Sequence, residues 1–384
     1  MLTTILVFAI ILGLLVFVHE FGHFISAKKL GAKVEEFGFG FPPRAIGVYK
    51  NHEGKMKLVF RKTPEIKNTI YSLNWIPLGG FVRIKGEDGE GKSDPESFAS
   101  KPVWKRAIIL GAGVMMNFIL AIIIMAIGYG IGMPQAIEGE MNGANIKDRA
   151  LQIVSVTKQS PAATAGMQAG DEIVAVDGRE LDFKELQAYA TSQVGKEINY
   201  TIKRQDDTLN LKAVPSILKE TGYGGIGIGL VETGVVSYPW HLALWRGTTE
   251  TLFFIKEIFI ALGTLIKDLF IGKGASVDLS GPIGIAVLTG RVARLGLIYL
   301  LQFTALLSVN LGVVNILPFP ALDGGRILFL IIEKIRRRPM SQRLEAAIHN
   351  IGFLFLMLLV VVITYRDFIK FGDKFSNLWQ NIIK

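Results

Sequence analysis

The stretch Leu15–Gly31, LVFVHEFGHFISAKKLG, sets His19, Glu20 and His23 inside an apolar run. That run carries no charge from Leu2 to Val18 and ends at Lys28 and Lys29. Ionisable groups at membrane depth are costly, so this cluster points to function. His19 and His23 are spaced i, i+4. On a helix they stack on one face, about 6 Å apart along the axis, and can share one metal ion. Glu20 is turned about 100° from His19, beside such an ion, where it can take a proton from water. This is the H-E-x-x-H pattern of zinc hydrolases. Two helix-packing histidines are the bland alternative, but an unpaired glutamate inside an apolar span argues against it.

The rest of the chain agrees with a membrane protein. Half of the 384 residues are hydrophobic, and the mean hydropathy is positive. Cysteine is absent, which excludes disulfides, iron–sulfur clusters and Cys-ligated zinc and leaves the compartment open. The net charge of +9 reads as basic cytosolic loops. No basic–aromatic pattern supports nucleic-acid binding. The first apolar run lacks a basic leader and a small-residue cleavage pattern, so it reads as a retained helix.

A spanning helix takes roughly 20 mostly apolar residues. Segments 1–27, 104–137, 295–322 and 346–366 qualify. The second is broken near its end by Gly128, Gly130, Gly132 and Pro134, and the fourth holds His349 near its start. Segment 238–280 is interrupted by Lys256, Glu257, Lys267 and Asp268. Lys256 and Lys267 lie about three helical turns apart on one face, as in an amphipathic helix lying on a membrane surface or on the protein. Basic clusters fall at Lys28, Lys29 and Lys33, at Lys101, Lys105 and Arg106, and at Lys334, Arg336, Arg337, Arg338 and Arg343. All lie on one side, which the positive-inside rule makes cytosolic. Both termini then lie outside. So does the long region between spans two and three, with Glu138, Glu140, Asp171, Glu172, Asp206 and Asp207. At ~1.5 Å per residue, His19 and His23 sit roughly 7–13 Å inside the cytosolic boundary.

Two histidines leave a catalytic zinc one protein ligand short. The stretch Asn315–Phe329, NILPFPALDGGRILF, offers Asp323. It is expected to end the third span on the same side as His23. Pro318 and Pro320 interrupt the helix before it, and Gly324 and Gly325 are expected to form a tight turn that aims the carboxylate inward. A capped helix end is the alternative; matching depth and sidedness favour a ligand.

Together these motifs resemble the site-2 protease family of intramembrane zinc metalloproteases, in its RseP/RasP branch. HEFGH lies in span one and YSLNWIPLGGFVRIKGED follows it. SGPIG, SVNLG and NILPFPALDGG lie in and before span three. The order holds over nearly the whole chain. The resemblance implies His19, His23 and Asp323 as Zn2+ ligands and Glu20 as the catalytic base. It places Asn310, Asn315, Pro318 and Pro320 on positions of substrate handling. Their amides and freed carbonyls offer hydrogen bonds, but interhelical glue and kinking account for them nearly as well. In GAGVMMNF, Gly113 and Asn117 resemble a small-x-x-x-Asn feature that supports the active site, with Val114 where the family often has proline.

Two accessory regions complete the reading. Residues 28–103 are expected to form a cytosol-facing, membrane-associated β region, because KMKLVFRK alternates and IPLGGFVRIKG continues the pattern. Gly79 and Gly80 read as a turn there, and the region as one that presents substrate by strand pairing. A small sheet with no substrate contact is the alternative. Residues 152–231, with AGDEIVAVDG and GGIGIGL, resemble one extracytoplasmic PDZ-like α+β domain. It either takes peptide ends by strand addition or screens substrates by size.

The expectation is therefore a polytopic α-helical protein with four transmembrane helices, in the bacterial inner (cytoplasmic) membrane. It would act as a zinc metalloendopeptidase on single-pass transmembrane substrates, such as pre-trimmed anti-sigma factors or signal-peptide remnants. Its partners would be those helices, the lipid bilayer and peptide ends, with no nucleic acid. A metal transporter would explain the intramembrane His and Asp, but not the H-E-x-x-H order or a PDZ-like domain. A catalytically dead scaffold is disfavoured by the intact Glu20.

Overall fold

The computed structural model describes residues 2–51, 53–60, 68–137, 141–204, 207–217, 222–272, 280–338 and 340–383. Arg61 and Lys62 of KMKLVFRK, the acids Glu138, Glu140 and Asp206, and residues 273–279 of segment 238–280 lie outside the described residues. In chain order, α1 (Leu2–Lys29) is followed by β1 (Val34–Lys50), β2 (Met56–Val59), β3 (Ile70–Ile84) and α2 (Val103–Ile131). Next come β4 (Met133–Ala136), β5 (Asn145–Val156), α3 (Pro161–Thr164), β6 (Glu172–Val176), α4 (Phe183–Ser192), β7 (Ile198–Arg204) and β8 (Asp207–Ala213). The short β9 (Ser216–Ile217) and β10 (Gly224–Gly225) lead into β11 (Ile228–Ser237). The chain ends with α5 (Trp240–Ile271), α6 (Pro282–Leu295), α7 (Leu297–Ile316), α8 (Asp323–Arg336) and α9 (Gln342–Ile383). Two compact units emerge, Met1–Ala126 with Leu244–Lys384, and Ile127–Ala243.

In the first unit, among the described residues, four helices are long and apolar enough to cross a membrane. They are Thr3–Lys29, Val103–Ile131, Leu297–Ile316 and Gln342–Lys370. These match the four expected spans, and α5 with its internal charges is not among them. α1 runs without a breaker until Lys28 and Lys29, whose charges suit a helix C-terminus. α7 stops where Pro318 and Pro320 approach, because the residue before a proline avoids helical backbone; Leu317 is already extended, with ψ 140°.

The β region is an antiparallel sheet of order β2-β1-β3. In β1, Phe37, Phe39 and Phe41 alternate with Gly38 and Gly40, so the aromatics share one face, and Pro42 and Pro43 follow them. Gly79 and Gly80 lie within β3 where the chain reverses: residues 71–73 and 80–82 pair with the same β1 residues, 37–39, in opposite directions, and Gly79 has φ +84°. Both glycines are also pressed against α1. A Cβ on Gly79 would stand 2.7 Å from Val16 Cγ1, and one on Gly80 2.7 Å from Phe17 Cα and 3.2 Å from Glu20 Cβ. What these glycines supply is room for a strand to touch the helix that carries the histidines. Phe24, Ala27, Val34, Phe37, Ile84, Ile109 and Leu330 pack into one core that joins α1, β1, β3, α2 and α8.

The second unit is the PDZ-like α+β domain, a six-stranded antiparallel sheet of order β4-β11-β5-β6-β7-β8 with α3 and α4. Its strands run from Met133 to Ser237, wider than 152–231, because β11 is long enough to pair with both β4 and β5. Ile153, Ile173, Val176, Leu186, Ile198, Tyr200 and Ile202 fill its core. Asp182 and Glu185 form a capping box that starts α4.

Asp171, 1% exposed, receives two hydrogen bonds from Arg204, at 2.7 and 2.8 Å, and one from the Gln168 N–H at 2.8 Å. The Arg204 guanidinium holds its carboxyl below the usual carboxylate range. A depressed folded pKa gives stability that is complete above the unfolded value of about 3.9 and is lost as pH falls through the folded one. Asp171→Asn is expected to destabilise this unit by about 2–3 kcal/mol at neutral pH. It should also flatten the acid limb of its stability. Hydrogen exchange of β6 and β7 amides in the full chain, followed from pH 7 to pH 3, checks both.

Candidate metal centre

α1 presents His19 and His23 one turn apart, with ring centroids 4.8 Å apart and planes at 80°. They are 6% and 7% exposed. The third group comes from the other side of α7. After Ile316 the chain passes through Pro318 and Pro320 and re-enters a helix at Asp323. Asp323 Oδ2 lies 3.0 Å from His19 Nε2 and 3.4 Å from His23 Nε2, and the two Nε2 atoms are 3.2 Å apart. One ligand atom from each residue therefore lies within 4.8 Å of the others.

Asp323 does not end the third span; it opens α8. Gly324 and Gly325 accordingly make no turn. They are helical residues of the first turn, and a Cβ on either would collide with the carbonyls of Ile316 or Phe319. The missing side chains let α8 start directly against the end of α7, which is what carries the carboxylate to the histidines.

The outer nitrogens are also held. His23 Nδ1–H donates to the Ile109 carbonyl at 2.8 Å. Asn117, fully buried, places its side-chain amide 3.1 Å from His19 Nδ1. With its nitrogen turned to the ring, Asn117 Oδ1 is left without a partner. Exchanging the two ends of the amide lets Oδ1 accept from His19 Nδ1–H. Ser308 Oγ donates to the Asn117 carbonyl at 2.7 Å and ties α7 to this point. Both rings then turn Nε2 lone pairs towards each other and towards a carboxylate. Three electron-rich atoms in one buried spot could hold a metal ion between them, and this N, N, O donor set fits a catalytic zinc, which keeps a fourth position open. Gly113 completes the cradle: a Cβ there would meet His23 Nε2 and stand 2.8 Å from His19 Nε2.

Glu20 is not part of the ligand cluster. It faces β3, where the Val82 backbone N–H is hydrogen-bonded to its carboxyl. Asn310 lies elsewhere. Its Nδ2 donates to the Leu306 carbonyl at 3.2 Å, and it borders an apolar cavity of ≈ 280 Å³ with Leu12, Leu15, Pro282 and Leu311. Asn315 sits in the last turn of α7, and Pro318 and Pro320 form the link to Asp323. Three contributors were not assigned from the sequence. The Ile109 carbonyl has no residue-type signal. Arg326, one turn beyond Asp323, pairs with Glu87 after β3. His349 was visible as a lone ionisable residue in an apolar span, without a role.

The profile of peptidase family M50 matches residues 7–359. The chain is similar to the regulator of sigma-W protease RasP of Bacillus subtilis. The two are 31% identical over 450 residues, covering 95% of this chain and 98% of that one. It is also similar to the zinc metalloprotease RasP of Geobacillus kaustophilus, at 29% identity over 458 residues, 96% and 99% of the two chains. Among solved structures, the PDZ domain of an SdrC-like protein from Listeria innocua is 26% identical. It covers 21% of this chain and 92% of its own, with a TM-score of 0.20.

Proposed function

Because this chain belongs to peptidase family M50 and is an intramembrane zinc metalloprotease of the site-2 type, we propose that it hydrolyses a peptide bond within the spanning helix of single-pass membrane proteins. In this reading, anti-sigma factors already trimmed outside the membrane and signal-peptide remnants are the proposed substrates. The observation that carries the proposal is the convergence of His19, His23 and Asp323, with Glu20 beside them and outside the ligand set.

His19, His23 and Asp323 would hold a zinc ion, which when bound would supply a Lewis acid and lower the pKa of water to about 7. His23 and His19 keep their Nε2 atoms turned inward through Ile109 and Asn117. Glu20 accepts a proton from the attacking water as its oxygen bonds to the scissile carbonyl carbon. It then delivers that proton to the amine nitrogen as the C–N bond breaks. A helical substrate hides its amides in its own ladder and has to unwind. β3 is an edge strand of its sheet and reaches Glu20, so it supports the idea that the unwound segment pairs there.

The basic clusters support a topology with both termini and the PDZ-like domain outside and the site in the cytosolic half of the bacterial inner membrane. In that domain a groove of ≈ 350 Å³ lies between α4 and β11, lined by Leu186, Ala190, Ile226, Ile228 and Leu230. It is suited to an extended peptide end.

Proteoliposomes separate this reading from metal transport. The wild-type chain should cut a co-reconstituted single-pass substrate and move no zinc across the bilayer. Zinc flux without cleavage would replace the peptidase with a transporter.

A further inference from the structure

His349 is an ionisable side chain near the start of an apolar span, and the chemistry above gives it no task. Its Nδ1 accepts a hydrogen bond from the Ala321 backbone N–H at 2.8 Å. Ala321 has φ +76°, left-handed backbone that a Cβ disfavours, and it lies two residues before Asp323. The Ala321 N–H lies beyond the end of α7, so no helix ladder satisfies it, and a part-buried donor of that kind needs an acceptor. The accepting Nδ1 puts the ring proton on Nε2, which is buried and finds no partner among the described residues. An apolar side chain would avoid that cost.

The same helix meets the link at further points. A Cβ on Gly352 would stand 2.7 Å from the Pro320 carbonyl oxygen. The Phe355 ring lies 5.7 Å from that of Phe319. Phe329 of α8 meets the His349 imidazole edge-on at 5.2 Å. His349, Gly352 and Phe355, three residues apart along α9, thus clamp both flanks of the segment that delivers the carboxylate.

We infer that His349 is a positioning residue for the metal centre: by holding the Ala321 N–H it fixes the strained link and so the point at which Asp323 enters α8. The inference rests on Asp323 being a zinc ligand.

The test compares full-length wild type, His349→Phe, His349→Asn and the double variant Ala321→Gly/His349→Phe. Phenylalanine keeps an aromatic ring beside Phe329 and removes the acceptor. Asparagine keeps an acceptor at the position of Nδ1. Glycine accepts φ +76° without a Cβ penalty. The readouts are the rate at which a chelator strips zinc, and kcat and KM for one single-pass substrate. For His349→Phe, zinc should be stripped about ten- to a hundredfold faster and kcat should fall about as much, as for other groups that orient a ligand. KM should stay within about twofold. His349→Asn should recover most of both losses. Ala321→Gly should suppress the defect of His349→Phe, which it would not do if that variant had merely misfolded. Wild type that holds no zinc and cuts nothing would overturn the site itself, and this inference with it. Intact wild type indistinguishable from His349→Phe, or a His349→Asn variant as impaired as His349→Phe, would overturn the inference alone.

Discussion

Glu20→Gln is expected to leave zinc content and substrate capture near normal and to lower cleavage by a factor of about 10²–10⁴. The side chain sits next to His19 on α1 yet lies outside the ligand cluster. Its neighbours are the Val82 N–H and the backbone at Gly80, and its carboxyl lies close enough to His23 and Asp323 to feel their charge, beside the ligand set rather than in it. Glutamine keeps the length, the polarity and an oxygen for the Val82 N–H. It loses only the ability to take a proton. Glu20→Asp should also be poor, because the shorter side chain draws the carboxylate back. Zinc analysis, pulldown of a transmembrane substrate and cleavage belong on one preparation. Robust cleavage by a verified Glu20→Gln protein would remove Glu20 from the role of base, and loss of zinc would make it part of the metal site instead.

Gly113→Ala should be nearly as damaging, by a different route. The added methyl falls where the two Nε2 lone pairs converge, against His23 and 2.8 Å from His19 Nε2. α2 cannot readily back away, since His23 holds the Ile109 carbonyl and Ser308 holds that of Asn117. Zinc affinity should fall by at least about a hundredfold and cleavage with it, while fold stability drops by only about 1–3 kcal/mol. Gly111→Ala, on the same helix, is the control. A Cβ at Gly111 meets nothing within 4 Å, so both zinc and cleavage should survive. Equal loss in the two variants would mean that helix packing, not the metal cradle, is what Gly113 protects.

The sequence carried the local half of the site. His19, Glu20 and His23 announce themselves because helical spacing and apolar surroundings are both properties of a single segment. The four spans follow from the same kind of local signal. What failed lay between segments. Gly79 and Gly80 read as a turn, and the chain does reverse there, but the need for an absent Cβ against α1 leaves no mark in a single segment. Gly324 and Gly325 also read as a turn, yet they lie in the first turn of α8, and only the packing of that turn shows that Asp323 begins a helix. The Ile109 carbonyl is backbone and leaves no trace in residue type. His349 acts on Ala321 through a contact that α9 makes only once folded.

On the proposed reading, His19, His23 and Asp323 hold the metal that this peptidase uses. The most direct measurement is the zinc content of the purified full chain, wild type beside the His19→Ala/His23→Ala double variant, both shown to be folded. About one zinc per chain is expected in the wild type and close to none in the double variant. Full zinc occupancy in the double variant would contradict it.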